Sequence, residues 1–191
     1  FPNTRSLITP LPFFHIYALT VGMFSSAWKG HTVITSSGRF DLEQFCQTVE
    51  KYKPERSHLV PPILLGLAKH PLVDKYDISS LKMIVSAAAP LGQETEAAVK
   101  TRLGCKVKQA WEMSKLSPIG TIYPDDKVRA GSVGPPVSFT LAKIIDEEGN
   151  SLGPNEDGEL LLKGPQVMMG YLVSTCRCVF SMLFALPRIG F

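Results

Sequence analysis

Three stretches of this 191-residue sequence gather side chains whose types could take part in chemistry. The first is Leu11-Pro12-Phe13-Phe14-His15-Ile16-Tyr17. A histidine can donate or accept a hydrogen bond near neutral pH, although one set among aromatics also serves simply as a packed core residue. The second is Ser86-Ala87-Ala88-Ala89-Pro90-Leu91-Gly92. Side chains this small let a planar group lie against the backbone where a larger substituent at Cβ would block it, and the same residues also suit a tight strand-to-helix turn. The third, Gln109-Ala110-Trp111-Glu112-Met113-Ser114-Lys115-Leu116-Ser117-Pro118, puts an amide, an indole, a carboxyl, a hydroxyl and an ammonium close together. Lys115 cannot ligate a hard cation: an ammonium has no lone pair while charged, and it repels the ion. A G-x-S-x-G elbow does not occur, so a serine hydrolase is not indicated. Cys46, Cys105, Cys176 and Cys178 form neither a C-x-x-C pair nor a zinc spacing, which points to a reducing compartment without a disulfide framework.

These residues need elements to hold them, and the sequence supplies an alternating pattern. Short apolar runs alternate with amphipathic helical segments from about Ser6 to Trp111, the signature of parallel β/α construction. Thr32 to Thr35 reads as a buried strand. Asp41 can cap a helix whose Leu42, Phe45, Val49 and Tyr52 fall on one face, and Pro54 stops it. Ser57 to Val60 reads as a strand, and Pro61-Pro62 opens a helix through Leu67, where proline removes N–H groups that have no partner anyway. Lys82 to Ser86 and Lys106 to Ala110 read as further strands, with a helix over Gln93 to Leu103 between them. Ile16 to Trp28 is apolar nearly all round, which predicts a helix buried on every side. The expected fold is α/β, a doubly wound and mainly parallel sheet flanked by helices over residues 1–130. After Gly131 the period changes: Val137, Phe139 and Leu141 alternate, Asp146 to Asn150 supplies a turn, and Gly158 to Lys163 returns as a strand. A small antiparallel β subdomain is therefore expected to begin over 131–171. Residues 172–191 show neither periodicity nor capping and are expected to add no element.

Bulk properties narrow the function classes. With 45% hydrophobic and 19% charged residues the chain can bury a core. Its net charge of +3 comes from scattered basic residues, which argues against nucleic acid as a partner. No run reaches the roughly 20 apolar residues of a membrane span. The sequence starts at Phe1 without a targeting signal, and it is expected to derive from a longer, intracellular protein, cytoplasmic or peroxisomal.

Taken in order, the three stretches resemble motifs of the adenylate-forming superfamily that includes 4-coumarate–CoA ligase, the acyl-CoA synthetases and firefly luciferase. The first is similar to L-P-x-F-H-x-Y/F, the second to S-G/A-A-A-P-L-G, and the third to Q-G/A-Y/W-G-M-T/S-E-x-x-P. A fourth match runs from Gly131-Ser132-Val133-Gly134-Pro135-Pro136 to Gly158-Glu159-Leu160-Leu161-Leu162-Lys163-Gly164 and Met169-Gly170-Tyr171. The resemblance covers roughly residues 5 to 172 and implies the central part of an acid–CoA ligase. Its substrates would be a small-molecule carboxylic acid, ATP and CoA, with Mg²⁺ as the metal. By resemblance, His15 and Ser114 are the catalytic candidates. Ala88, Ala89, Pro90, Gln109, Ala110, Trp111, Met113 and Ser114 would bind the nucleotide, and His15, Ile16, Tyr17, Val60, Pro61 and Ala87 would line an acyl pocket.

Two positions depart from the family pattern. Glu112 stands where the family has glycine, and is expected close to the triphosphate. Lys115 stands where it has the glutamate that binds Mg²⁺, so no metal ligand is assigned. The family's Ser/Thr/Gly-rich phosphate loop, ribose-binding aspartate, lid and catalytic lysine do not occur either. The chain is accordingly expected to be inactive by itself, and the alternative is a non-catalytic or decayed module that binds an acyl group or adenine.

Overall fold

A computed structural model describes residues 6–36 and 38–170. The tail expectation, which concerns 172–191, and Tyr171 lie outside the described residues. A six-stranded sheet runs in the order β2-β1-β3-β4-β5-β6. Its strands are β1 (Ser6–Ile8), β2 (Thr32–Ile34), β3 (Arg56–Leu59), β4 (Met83–Ser86), β5 (Lys106–Glu112) and β6 (Ile119–Ile122). The first five are parallel and β6 returns antiparallel along β5.

Handedness explains where the helices go. From β1 the chain crosses to β2 on one side, then reverses to β3 and steps on to β4 and β5. Right-handed crossovers in opposite directions put their helices on opposite faces of the sheet. Accordingly α2 (Leu42–Tyr52), α3 (Pro61–Lys69) and α4 (Gln93–Leu103) share one core, in which Phe45, Val49, Leu64, Leu67 and Val99 meet Ile8, Leu59, Ile84 and Val107. The other face carries a smaller core of Tyr17, Met83, Val85, Ala87 and Ala110 under the first helix. The doubly wound, mainly parallel sheet read from the sequence is the one observed.

Local chemistry sets most boundaries. Asp41 caps α2, its Oδ1 accepting from the Gln44 N–H at 2.7 Å, and the helix ends on Lys53 in a left-handed conformation (φ 48°), one residue before Pro54. Within α2, Cys46 rather than Tyr52 completes the buried face, and Tyr52 is 55% exposed. Gly92 and Gly104 bound α4, which spans the expected residues.

Three expectations change. Thr32 to Thr35 is not buried: β2 is the edge strand, so one side has no neighbour and Thr32 is exposed. The first helix is not buried all round either. It runs as a π-helical stretch, Ala18–Phe24, into α1 (Ser25–Lys29), and the Ser25 hydroxyl donates back to the Val21 carbonyl. Ala18, Gly22 and Ser26 form its buried stripe, whereas Phe24 and Trp28 are 57% and 79% exposed. At Gly22 a Cβ would lie 3.1 Å from Thr9 Cγ2, so glycine lets this helix settle close to the sheet. Finally, the alternation at Val137, Phe139 and Leu141 yields a strand only from Leu141. Phe139 takes φ 62° and points outward, which ends the extended run.

The second sheet is a hairpin. β7 (Leu141–Ile145) pairs antiparallel with β8 (Glu159–Lys163). Between them Asp146 accepts from the Asn150 N–H at 2.7 Å, and Gly149 supplies φ 87° for the turn. Residues 135–137 run beside β6, through Ile122 N–H to the Pro135 carbonyl at 3.1 Å and Val137 N–H to the Gly120 carbonyl at 3.0 Å.

Candidate functional site

Parallel strands all point their carboxyl ends at one edge of the sheet, and β1, β3, β4 and β5 are successive neighbours. Leu11 to His15 follows β1, Val60-Pro61 follows β3, Ala87 to Pro90 follows β4, and Trp111 to Ser114 ends β5. The connection reverses direction beside β1, so this edge holds the switch point where open α/β sheets form their ligand crevice. Topology alone therefore brings the separated stretches to one edge.

His15 is exposed, and its Nδ1 accepts from the Tyr17 N–H at 3.2 Å. In the neutral ring the proton then belongs on Nε2, which leaves a donor on the far side. Ile16, Val60 and Pro61 are half-buried, and Val60 packs against the α2–α3–α4 core. Tyr17 behaves differently from an open pocket wall. Only 1% exposed, it donates its hydroxyl to the Val85 carbonyl at 3.2 Å and meets His58 Nδ1 at 3.2 Å, edge-on to that ring. Burial holds the Tyr17 hydroxyl well above its ordinary range, reinforced by the charge of Glu112. His58, fully enclosed and close to Arg56, is pushed down to about 3 and is neutral.

The turn after β4 is exposed at Ala88, Ala89 and Pro90, while Ala87 is fully buried beneath it. Ala88 takes φ 72°, a left-handed conformation that a non-glycine residue adopts only under constraint. The constraint is visible. Gln109 Oε1 accepts from the Leu91 N–H at 3.0 Å, and Gln109 Nε2 donates to Glu96 Oε2 at 2.9 Å. Glu96, 1% exposed, also pairs with Lys100. Thus Gln109, 7% exposed, spends its amide inside the protein as a strut for the turn. Glu96 escaped the sequence reading because one glutamate on an acidic helix carries no signal of burial.

At the end of β5, Trp111 is half-buried and packs across Gly120, where a Cβ would lie 2.6 Å from the indole. Ala110 is buried, Met113 half-buried and Ser114 exposed at the start of a short 3₁₀ turn, Ser114–Leu116. Lys115 is half-buried and its carbonyl accepts from the Met168 N–H at 2.9 Å, tying this turn to the chain after β8. No trio of His, Cys, Asp or Glu able to hold a metal occurs among the described residues. With Lys115 at the expected ligand position, these residues do not fit Mg²⁺.

Glu112 is not turned outward toward a phosphate. It lies close enough to Tyr17 for its charge to act on that hydroxyl, and both its carboxyl oxygens are shielded without a hydrogen-bond partner among the described residues. Burial pushes its pKa from 4.5 up to about 7.

A second charged group lies at the opposite end of the sheet. Arg56 grips Asp125 through two hydrogen bonds of 3.0 and 2.9 Å, and Lys108 donates to the same carboxylate. Both cationic side chains are almost wholly buried, at 4% and 3% exposure. Partial burial would raise the Asp125 pKa, but the hydrogen bonds from Arg56 and Lys108 outweigh it and hold it at about 2.

Comparison with known proteins agrees with this architecture. The family described as AMP-binding enzyme matches residues 2–172. A probable 4-coumarate–CoA ligase 1 of Dictyostelium discoideum is 42% identical over 164 residues, which is 84% of this chain and 30% of that protein. The 4-coumarate–CoA ligase 2 of Narcissus pseudonarcissus is 38% identical over 173 residues, 87% of this chain and 30% of its own length. Among solved structures, an anthranilate CoA ligase in complex with anthranoyl-AMP matches 90% of this chain and 33% of its own, with TM-score 0.84 and 20% identity. A long-chain-fatty-acid-CoA ligase from Archaeoglobus fulgidus matches 87% of this chain and 35% of its own, with TM-score 0.77 and 26% identity. The chain spans about a third of the length of these relatives.

Proposed function

The chain belongs to the AMP-binding enzyme family, and from that premise we propose that it is the acyl- and adenine-binding part of an AMP-forming acid–CoA ligase of the 4-coumarate–CoA ligase type. The whole enzyme would join a carboxylic acid to ATP with release of pyrophosphate, then pass the acyl group from AMP to CoA. The observation that carries this reading is the convergence of the four strand ends, with His15, Ala88 and Trp111 on the same edge of the sheet.

Each residue has a task its setting supports. The His15 Nε2–H would donate to the substrate carboxylate, a task consistent with the tautomer fixed by the Tyr17 N–H. The exposed turn Ala88 to Pro90, stiffened through Gln109, offers backbone to adenine without side chains in the way. Trp111 would cover the base, and the exposed Ser114 hydroxyl would donate to phosphate. Ala110 and Met113 floor that site, while Ile16, Val60, Pro61 and Ala87 wall the acyl side and Tyr17 supports them from behind. Phosphoryl transfer needs stabilisation of charge, which the family draws from Mg²⁺ and lysine. Because Lys115 does not fit the metal, the second reading, a module that binds without turnover, suits the chain by itself. An intracellular setting, cytoplasmic or peroxisomal, accompanies either reading, and Cys46 and Cys105 are free and buried.

Tryptophan fluorescence tests the site. In a Trp28→Phe background Trp111 is the remaining tryptophan, and AMP is expected to quench it with a Kd in the millimolar range, about 4 kcal/mol of binding. Absence of quenching at tens of millimolar AMP would remove adenine from the proposal.

A further inference from the structure

The carboxyl group of Glu112 has no task in the reading above. It sits at the carboxyl end of β5, within electrostatic reach of Tyr17, whose face of the sheet also carries Ala87 and Ala110. Its oxygens are screened from water, and neither has a partner among the described residues. The Tyr17 hydroxyl, whose charged form Glu112 disfavours, is already donated to the Val85 carbonyl and cannot serve it. Arg56 and Lys108 share this face of the sheet but are engaged with Asp125 at its opposite end.

A buried, unpaired carboxylate is unfavourable unless something supplies a donor or a positive charge. The neighbouring core residues Tyr17, Ala87 and Ala110 offer neither a free donor nor a positive charge. We propose that Glu112 is a specificity residue that accepts an amine on the acid substrate, so that the chain selects carboxylic acids bearing a primary ammonium group over their amine-free counterparts. This rests on the acyl-site reading above. A neutral acid of the same shape would enclose Glu112 still unpaired, which gives discrimination by exclusion as well as by attraction. The preference belongs to Glu112 alone: His15 would meet the opposite end of the same molecule.

The test uses the 191-residue chain and two matched probe pairs at pH 7: 4-(aminomethyl)benzoate against 4-ethylbenzoate, and 4-(2-aminoethyl)benzoate against 4-propylbenzoate. Calorimetry is expected to give at least tenfold tighter binding for the amine in one pair or both. Glu112→Gln should abolish the preference while AMP quenching of Trp111 is unchanged. In the unaltered protein, the ¹³C shift of the Glu112 carboxyl should move to the carboxylate position when the amine binds and stay put with the alkyl probe. Equal affinity within both pairs, a preference that survives in Glu112→Gln, or binding of neither class overturns the proposal. If AMP still quenches in those cases, the adenine site stands and only the assignment to Glu112 fails. If AMP does not quench either, the acyl and adenine reading fails with it.

Discussion

Glu112 also leaves a signature in stability. Its carboxyl titrates at 4.5 when exposed and at about 7 in the fold, so between those values the folded chain holds the proton more tightly than the unfolded chain. Stability should therefore fall as pH rises from about 4.5 to 7 and level off above. At 1.36 kcal/mol per pH unit, and discounted for partial solvent access, the loss is about 2 kcal/mol. Urea midpoints measured from pH 5 to 8 should show this decline, and Glu112→Gln should flatten it. A parallel decline in both proteins would mean that the carboxyl is solvated. Lys115 poses a separate question, because it lies in the 3₁₀ turn tied to Met168, whereas Glu112 is shielded near Tyr17. In an enzyme completed with the flanking segments of a relative, Lys115→Glu by itself should raise pyrophosphate release at saturating ATP by about two decades, roughly 3 kcal/mol of transition-state stabilisation. An unchanged rate would show that lysine is tolerated there. The motif residues and their order were legible in the sequence, but where the Glu112 and Gln109 side chains point was not. The β5–β6 register shifts between Trp111 and Glu112, so the direction of the last side chains depends on an irregularity that no periodicity announces.

At the scale of elements, the β5–β6 hairpin holds the site together through a contact the sequence does not announce. Gly120 was read as part of no strand, yet the absence of a Cβ there is what seats Trp111. Gly120→Ala should push the indole out of position, costing about 1–3 kcal/mol by overpacking and weakening AMP quenching at least tenfold. The thermal midpoint and the quenching curve measure the two effects. Retained quenching would place the Trp111 ring elsewhere. Helix α4 and the cap of α2 could be read directly because capping and periodicity are local signals. Strand β6 could not. Its four residues, Ile-Gly-Thr-Ile, are too short for a period and are defined by the partner they pair with. The same limit explains the first helix, whose composition demanded burial while its actual neighbours cover only one stripe.

For the whole molecule, the two ends of the β3–β5 layer serve different purposes. One end is open, with exposed small residues and His15; the other is closed by Arg56, Lys108 and Asp125. Removing the shared anion should take a charged hydrogen-bond partner from two buried cations, while Lys108 keeps its bond to the Tyr123 carbonyl. Asp125→Asn is expected to destabilise the fold by about 1.5–3 kcal/mol, the range for losing hydrogen bonds to a charged group, read as a drop in the urea midpoint at pH 7. The effect should vanish if Arg56 is replaced by methionine and Lys108 by leucine at the same time. A loss below 1 kcal/mol would mean that water already reaches the group.

The distance of that ion group along the chain sets a schedule. Arg56 and Asp125 lie 69 positions apart, and Lys108 joins the same anion from 17 positions before it. A ribosome adding about 5–20 residues per second makes both cations several seconds before or just ahead of their counter-charge. During that interval the nascent strands can gather their apolar faces on the α2–α3–α4 side, whose residues are already complete at Val107. The opposite side must wait for Asp125, so the two faces of one sheet mature in sequence as the chain is born.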